Sequence, residues 1–188
     1  LYIYVFLEYM LPLSRAFVKK KLLDKPCNFI YYNTYINYMY LMEPSQGVRR
    51  MNPDNIFNQK SDPPADLKGF LIPAKTGERM YACLFRPKGS GPRPTVLLLH
   101  GYPGDENNYD LAHAFQRAGY TVVIFHYRGT WGSEGRFSLR HVLEDAASAV
   151  AFIRRHSGEE PYLFDSEKLI LVGHSMGGFA ALQTAAVD

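Results

Sequence analysis

The stretch LILVGHSMGGFAALQ, Leu169–Gln183, decides how the rest of this sequence is read. Leu169 to Val172 is a continuous apolar run of strand length, and such runs belong to strands buried on both faces. From Met176 to Val187 small and apolar residues predict a helix. Between them lies Gly173-His174-Ser175-Met176-Gly177, a G-x-S-x-G pattern on a strand-to-helix turn. A turn that tight leaves no room for side chains beside Ser175, and Gly177 with Gly178 lets the helix approach the strand closely. It also projects the Ser175 hydroxyl above the sheet edge. The helix N-terminus adds partial positive charge there, so the pattern suits a serine nucleophile with the Met176 backbone N–H donating to a developing oxyanion.

Working outward, TVLLLH (Thr95–His100) and TVVIFHY (Thr121–Tyr127) are two more buried strands. Leu111, Ala112, Phe115 and Ala118 share one helical face between them, with Asn107 or Asn108 as the expected cap and Gly119 as the expected stop. From Ser138 to His156, Val142, Ala146, Ala149, Val150 and Ile153 recur at helical spacing. Upstream, GFLIPA and RMYACLFRP flank KTGE and predict an antiparallel hairpin. Alternating strand and helix imply an α/β fold, a mostly parallel sheet with helices on both faces. In such a sheet His100-Gly101 ends the first buried strand on the same edge as Ser175. The Tyr102 backbone N–H then becomes the second candidate oxyanion donor, with His100 a hydrogen-bonding residue of that loop. Tyr102 and Trp131 either line the cleft or pack the loops.

Composition bounds the rest. The sequence has 188 residues, 47% of them hydrophobic and 21% charged, which fits one globular domain. A net charge of +3 without a long basic block excludes an electrostatic case for nucleic-acid binding. Cys27 and Cys83 lie far apart without metal-ligand spacing, so no disulfide framework, metal site or cofactor is expected, and a reducing, cytoplasmic setting is the default. GSGPRP lacks the Lys-Ser/Thr of a phosphate loop. The first 42 residues hold eight of the 14 tyrosines, show neither helical nor strand periodicity for long, and are rich in residues favoured by AT-rich codons. They are expected to be translated upstream DNA, with the start at Met42 or Met51. A membrane anchor is disfavoured, because the apolar run from Leu1 to Leu13 contains Glu8 and falls short of the ~20 residues of a spanning helix. The expected organisation is thus an atypical segment over 1–50, a lead-in loop over 51–66, and one domain over 67–188.

HGYPG, YRGTWGSEG and GHSMGG, in that order, resemble the α/β-hydrolase superfamily. The branch is that of serine hydrolases, with prolyl-oligopeptidase-like, dienelactone-hydrolase-like and acyl-esterase proteins. The resemblance covers 67–188. It implies an α/β-hydrolase fold, a Ser175 acyl-enzyme, and a small-molecule or peptide acyl substrate. Arg128, Gly129, Trp131, Gly132, Ser133 and Gly135 fit the family's second loop, which reads as a brace, and His126 stands where Asp is common. Serine argues against epoxide hydrolases and haloalkane dehalogenases, which carry Asp there, and against dienelactone hydrolases proper, which carry Cys. The family's triad runs serine, acid, histidine. All six histidines, at 100, 113, 126, 141, 156 and 174, precede Ser175. The sequence is therefore expected to be an N-terminal half, truncated after the nucleophile helix, with acid and base beyond Asp188. Glu144 and Asp145 are expected on a solvated or braced helix face. On its own the half is expected to be unstable and inactive, with the strand before Ser175 leaving an apolar edge exposed. The alternatives are a non-catalytic binding or interaction module that keeps the turn as architecture, and an acyltransferase.

Overall fold

The computed structural model describes residues 64–102 and 108–188, together with the backbone of three strands at Tyr2–Phe6, Lys19–Leu22 and Lys25–Tyr32. The expected starts at Met42 and Met51, residues 51–63 of the lead-in loop, the side chain of Cys27, Pro103-Gly104 and Asn107 lie outside the described residues. In chain order the elements are β1 (Tyr2–Phe6), β2 (Lys19–Leu22), β3 (Lys25–Tyr32), β4 (Asp66–Pro73), β5 (Arg79–Arg86), β6 (Arg93–Leu99), α1 (Tyr109–Arg117), β7 (Thr121–Phe125), α2 (Leu139–Arg155), β8 (Phe164–His174) and α3 (Met176–Val187).

The central strands settle the topology. β6 lies between β7 and β8 and runs parallel to both, with Leu97 opposite Val123 on one side and Leu171 on the other. β5 joins β7 antiparallel, and the hairpin partner β4 pairs antiparallel beyond it. The chain thus moves from β6 one way to β7 and then back across to β8. A crevice at the carboxyl ends of β6 and β8 follows from that reversal.

The alternation within each strand builds two cores. Val96, Leu98, Val122, Ile124, Ile170 and Val172 point to the face covered by Ala112 of α1. Leu97, Leu99, Val123, Phe125 and Leu171 point to the other, where Val142, Ala146, Ala149, Val150 and Ile153 of α2 and Ala180 and Ala181 of α3 pack. A fully buried aliphatic side chain is worth about 1.5–3 kcal/mol relative to exposure, so these two layers are what hold the sheet edge in place. The α/β fold with helices on both faces is as the sequence predicts.

Three details differ. Tyr2–Phe6 pairs parallel with β8, and β3 and β2 extend the sheet further, so the edge expected to be bare carries a strand. The physical reason is mutual: β8 offers a row of unpaired N–H and C=O groups, and YIYVF is an aromatic and β-branched run suited to a strand. The expectation that this segment shows neither helical nor strand periodicity for long did not anticipate these three strands. At α1, Asn108 is the N-cap but adopts a left-handed conformation (φ 51°) without a side-chain capping bond, because a cap bond needs extended backbone there. Strand β4 begins at Asp66, the last residue of the expected lead-in loop. By contrast Ser138 caps α2 through the His141 N–H at 3.1 Å, and Gly119 follows the end of α1 with φ 94°.

Candidate active site

The turn at Ser175 is shaped by backbone contact. Ser175 has φ 52° and ψ −117°, a conformation that L-residues avoid and that costs on the order of 1–3 kcal/mol. Its side chain is exposed and makes no capping bond to α3. Two glycines make the geometry possible: a Cβ on Gly173 would lie 2.3 Å from the Gly177 carbonyl oxygen, and one on Gly177 would lie 2.0 Å from the Leu99 carbonyl oxygen. The start of α3 is thus pressed against the end of β6. Met176 is the first residue of α3, so its N–H is among those without an intrahelical acceptor, and the first helical turn contains no acidic residue to offset the local positive potential.

The loop after β6 reaches the same place. A Cβ on Gly101 would lie 3.2 Å from Ser175 Cβ and 3.0 Å from His174 Nδ1, so Gly101 packs directly on the serine. His100 is 3% exposed, and its Nδ1 lies 2.8 Å from the Gly101 carbonyl oxygen. A carbonyl only accepts, so Nδ1 carries the proton in this pair. The Gly101 carbonyl and the Tyr102 N–H belong to one planar trans peptide and point in opposite directions. By fixing the carbonyl, the His100 ring therefore fixes the direction of the Tyr102 N–H. Tyr127 adds a second restraint: its hydroxyl donates to the His100 carbonyl at 3.3 Å, and its ring centroid lies 4.6 Å from that of His100.

The loop after β7 forms the third wall. Arg128 is 1% exposed, yet it satisfies its donors: Nε reaches Asp145 at 2.5 Å, one terminal nitrogen reaches Glu144 at 2.8 Å, the other reaches Thr76 at 2.8 Å, and its backbone N–H reaches Asp145 at 2.8 Å. Burial pushes the Asp145 carboxyl up, while the Arg128 hydrogen bonds oppose that shift. Arg128 and Arg140 hold the Glu144 carboxyl below the usual range. Both carboxylates brace the loop, as the sequence suggests. Ser133 closes it by donating to the His126 carbonyl at 2.8 Å and accepting from the Tyr81 N–H at 2.9 Å.

Sequence reasoning placed His126 at the start of this loop but missed its pairing with His100. Its ring is 9% exposed and 5.5 Å from that of His100; burial, reinforced by His100, pushes it down to about 4. Burial also lowers His100. Two neutral imidazoles side by side had no signature in the sequence, since they follow the ends of two different strands. Of the remaining histidines, His113 pairs with Gln116, His141 with the Arg136 carbonyl and His156 with Glu159, while His174 ends β8 next to the serine with its Nδ1 against Gly101. The structure thus brings Ser175, Met176 and the Gly101-Tyr102 peptide together. Tyr102 and Trp131 are 66% and 53% exposed, so loop packing does not absorb either ring.

Known proteins resemble this chain in sequence and fold. Residues 90–188, more than half of the chain, match the family described as serine aminopeptidase, S33. The YfhR protein of Salmonella typhimurium is 31% identical over 121 residues, covering 61% of this chain and 39% of its own length. The chain spans about two fifths of the length of the curated relatives it matches. Among solved structures, the α/β-hydrolase GrgF from Penicillium sp. sh18 superposes with a TM-score of 0.57 at 25% identity, over 65% of this chain and 42% of that one. An α/β serine hydrolase homologue from Coxiella burnetii gives 0.52 at 25% identity, over 63% and 56%. With the strand order, the turn at Ser175 and the sequence match in agreement, the chain belongs to the serine aminopeptidase S33 family of α/β-hydrolases.

Proposed function

We propose that the protein is an acyl hydrolase working through an acyl-enzyme on Ser175, on ester, thioester or amide substrates of small-molecule or peptide type. One observation carries this reading: an exposed serine held at φ 52° on the N-terminus of an apolar helix, with the loop after β6 packed on its Cβ. Strain of that kind persists where the surroundings over-determine it, and here it presents the hydroxyl instead of burying it. In the reaction, Ser175 Oγ attacks the acyl carbon and gives up its proton to a base. The carbonyl oxygen becomes an oxyanion facing the N–H groups of Met176 and Tyr102. Collapse expels the alcohol, thiol or amine, which takes that proton. Water then releases the acid by the same route reversed. Each oxyanion donor is worth about 10²–10³ in rate.

His100 and His126 are buried, His113, His141 and His156 are bound away from the serine, and His174 ends β8 on the strand side of the turn, so the base and the acid of this reading are left to residues that follow in the family's order of serine, acid and histidine. No described helix is long and apolar enough to cross a membrane. The low cysteine content supports a reducing compartment as the setting.

The test is fluorophosphonate labelling and hydrolysis of simple p-nitrophenyl esters by the gene product carried past residue 188. Labelling and turnover that disappear together in Ser175→Ala support the reading. A folded protein that labels equally well in Ser175→Ala, or hydrolyses no acyl substrate, would leave the binding-module alternative standing.

A further inference from the structure

The loop after β7 contains a second backbone outlier besides Ser175 at this sheet edge. Trp131 has φ 46°, in the left-handed region, where a bulky aromatic residue is rare. Glycine is the natural occupant of such a position, and Gly129 and Gly132 beside it do adopt positive φ. Yet the chain places its single tryptophan there and leaves the side chain 53% exposed. The loop that holds it is among the most heavily tied parts of the fold: the buried Arg128–Asp145 pair at one end, Ser133 bonded to β5 and the loop base, and Glu134 bonded to the Arg79 N–H at 2.9 Å. Strain, exposure and rigid support together describe a side chain being presented.

Its surroundings say to what. The indole lies 6.1 Å from the His126 ring, which lies 5.5 Å from the His100 ring, and the residue after His100 packs on Ser175. On the same edge Tyr102 is 66% exposed, its ring 5.4 Å from that of Phe137 at the far end of the Trp131 loop. The end of β6 and the loop after β7 thus each offer an exposed flat ring at the carboxyl edge of the sheet that carries Ser175, with the His100 and His126 rings between that loop and the residue packed on the serine.

We propose that Trp131 and Tyr102 form an aromatic subsite that selects acyl substrates bearing an aromatic ring, a reading that rests on Ser175 as the nucleophile. Ring stacking favours a planar aryl group over a saturated ring of the same size by about two- to tenfold in affinity.

Trp131 is the single tryptophan of residues 1–188, so the part of the emission that is lost in Trp131→Phe gives a local readout that does not need turnover. Ser175→Ala protein would be titrated with phenyl butyrate and with cyclohexyl butyrate while the Trp131 emission is followed. Saturable change at several-fold lower concentration for the phenyl ester supports the subsite; equal response to the two esters, or none, overturns it. In the Ser175 protein, Trp131→Gly should raise KM for the phenyl ester toward that for the cyclohexyl ester with kcat kept, and should raise Tm by relieving the strained backbone. A lower Tm, or an unchanged KM ratio, overturns the proposal. Should the emission respond selectively while no acyl substrate is turned over, the catalytic reading fails and the aromatic subsite stands.

Discussion

Two loops meet at the carboxyl edge of the sheet, and they are held by opposite means. The turn from β8 into α3 is fixed by contact between backbones: Gly173 on Gly177, Gly177 on Leu99, Gly101 on Ser175. No side-chain hydrogen bond caps it. The loop after β7 is fixed by polar side chains around a buried guanidinium, with Asp145, Glu144 and Thr76 as its partners. The difference follows from what each presents. A serine hydroxyl meant for chemistry must stay open to solvent and substrate, so its support has to come from shape. A loop that presents an indole from above can hide charge beneath it.

The contrast can be broken experimentally, most severely at the buried charge. Arg128→Ala or Asp145→Ala should each cost about 3–5 kcal/mol in denaturant unfolding, because the partner is left as an uncompensated buried charge. The double variant Arg128→Met with Asp145→Leu should recover much of that loss, since replacing a buried pair by apolar residues is often neutral. Molecules that remain folded should still label at Ser175 with the wild-type rate; a lower rate would show that the two loops are not separately supported.

Acidification acts on the imidazoles between them. His126 titrates at about 4 in the fold against an ordinary value of 6.5, so below pH 6.5 the unfolded chain takes up a proton that the folded one refuses. Stability is therefore complete above pH 6.5, falls as pH drops toward 4, and levels off below. The loss amounts to about 3 kcal/mol as an upper bound. His126→Phe should flatten that part of the pH profile of Tm, and an unchanged profile would assign the acid sensitivity elsewhere.

Gly177→Ala tests the contact-held turn. A Cβ 2.0 Å from the Leu99 carbonyl must push α3 off β6, which should cost about 1–3 kcal/mol. It should reduce labelling of the folded protein as well, in contrast to the Arg128 variants. The smallest effect has the opposite sign: Ser175→Gly removes the side-chain penalty at φ 52° and should stabilise by about 1 kcal/mol, while Ser175→Ala, which keeps a Cβ, should not.

These pairs also explain what the sequence could and could not say. The strands ending at Leu99, Phe125 and His174 and the helices between them were legible because each carries its own period or apolar run. The turn at Ser175 was legible because its glycines and serine are adjacent. Arg128 and Asp145 were each readable as braces, but their union spans 17 positions and depends on how α2 crosses the sheet. The His100–His126 neighbours follow the ends of two strands whose register no local pattern fixes. The strand at Tyr2–Phe6 was missed because five residues are too few to show alternation, whereas the edge of β8 offers pairing to any extended apolar segment.

The Gly177–Leu99 contact has one more implication. With no clearance between the turn and the end of β6, the spacing of the serine and the Gly101-Tyr102 peptide is set by backbone contact. Insertions or exchanges further along either loop can reshape the cleft without altering the spacing of those two groups. On the proposed reading, substrate preference and reacting geometry are thereby decoupled, which would let one scaffold change its diet while keeping its chemistry.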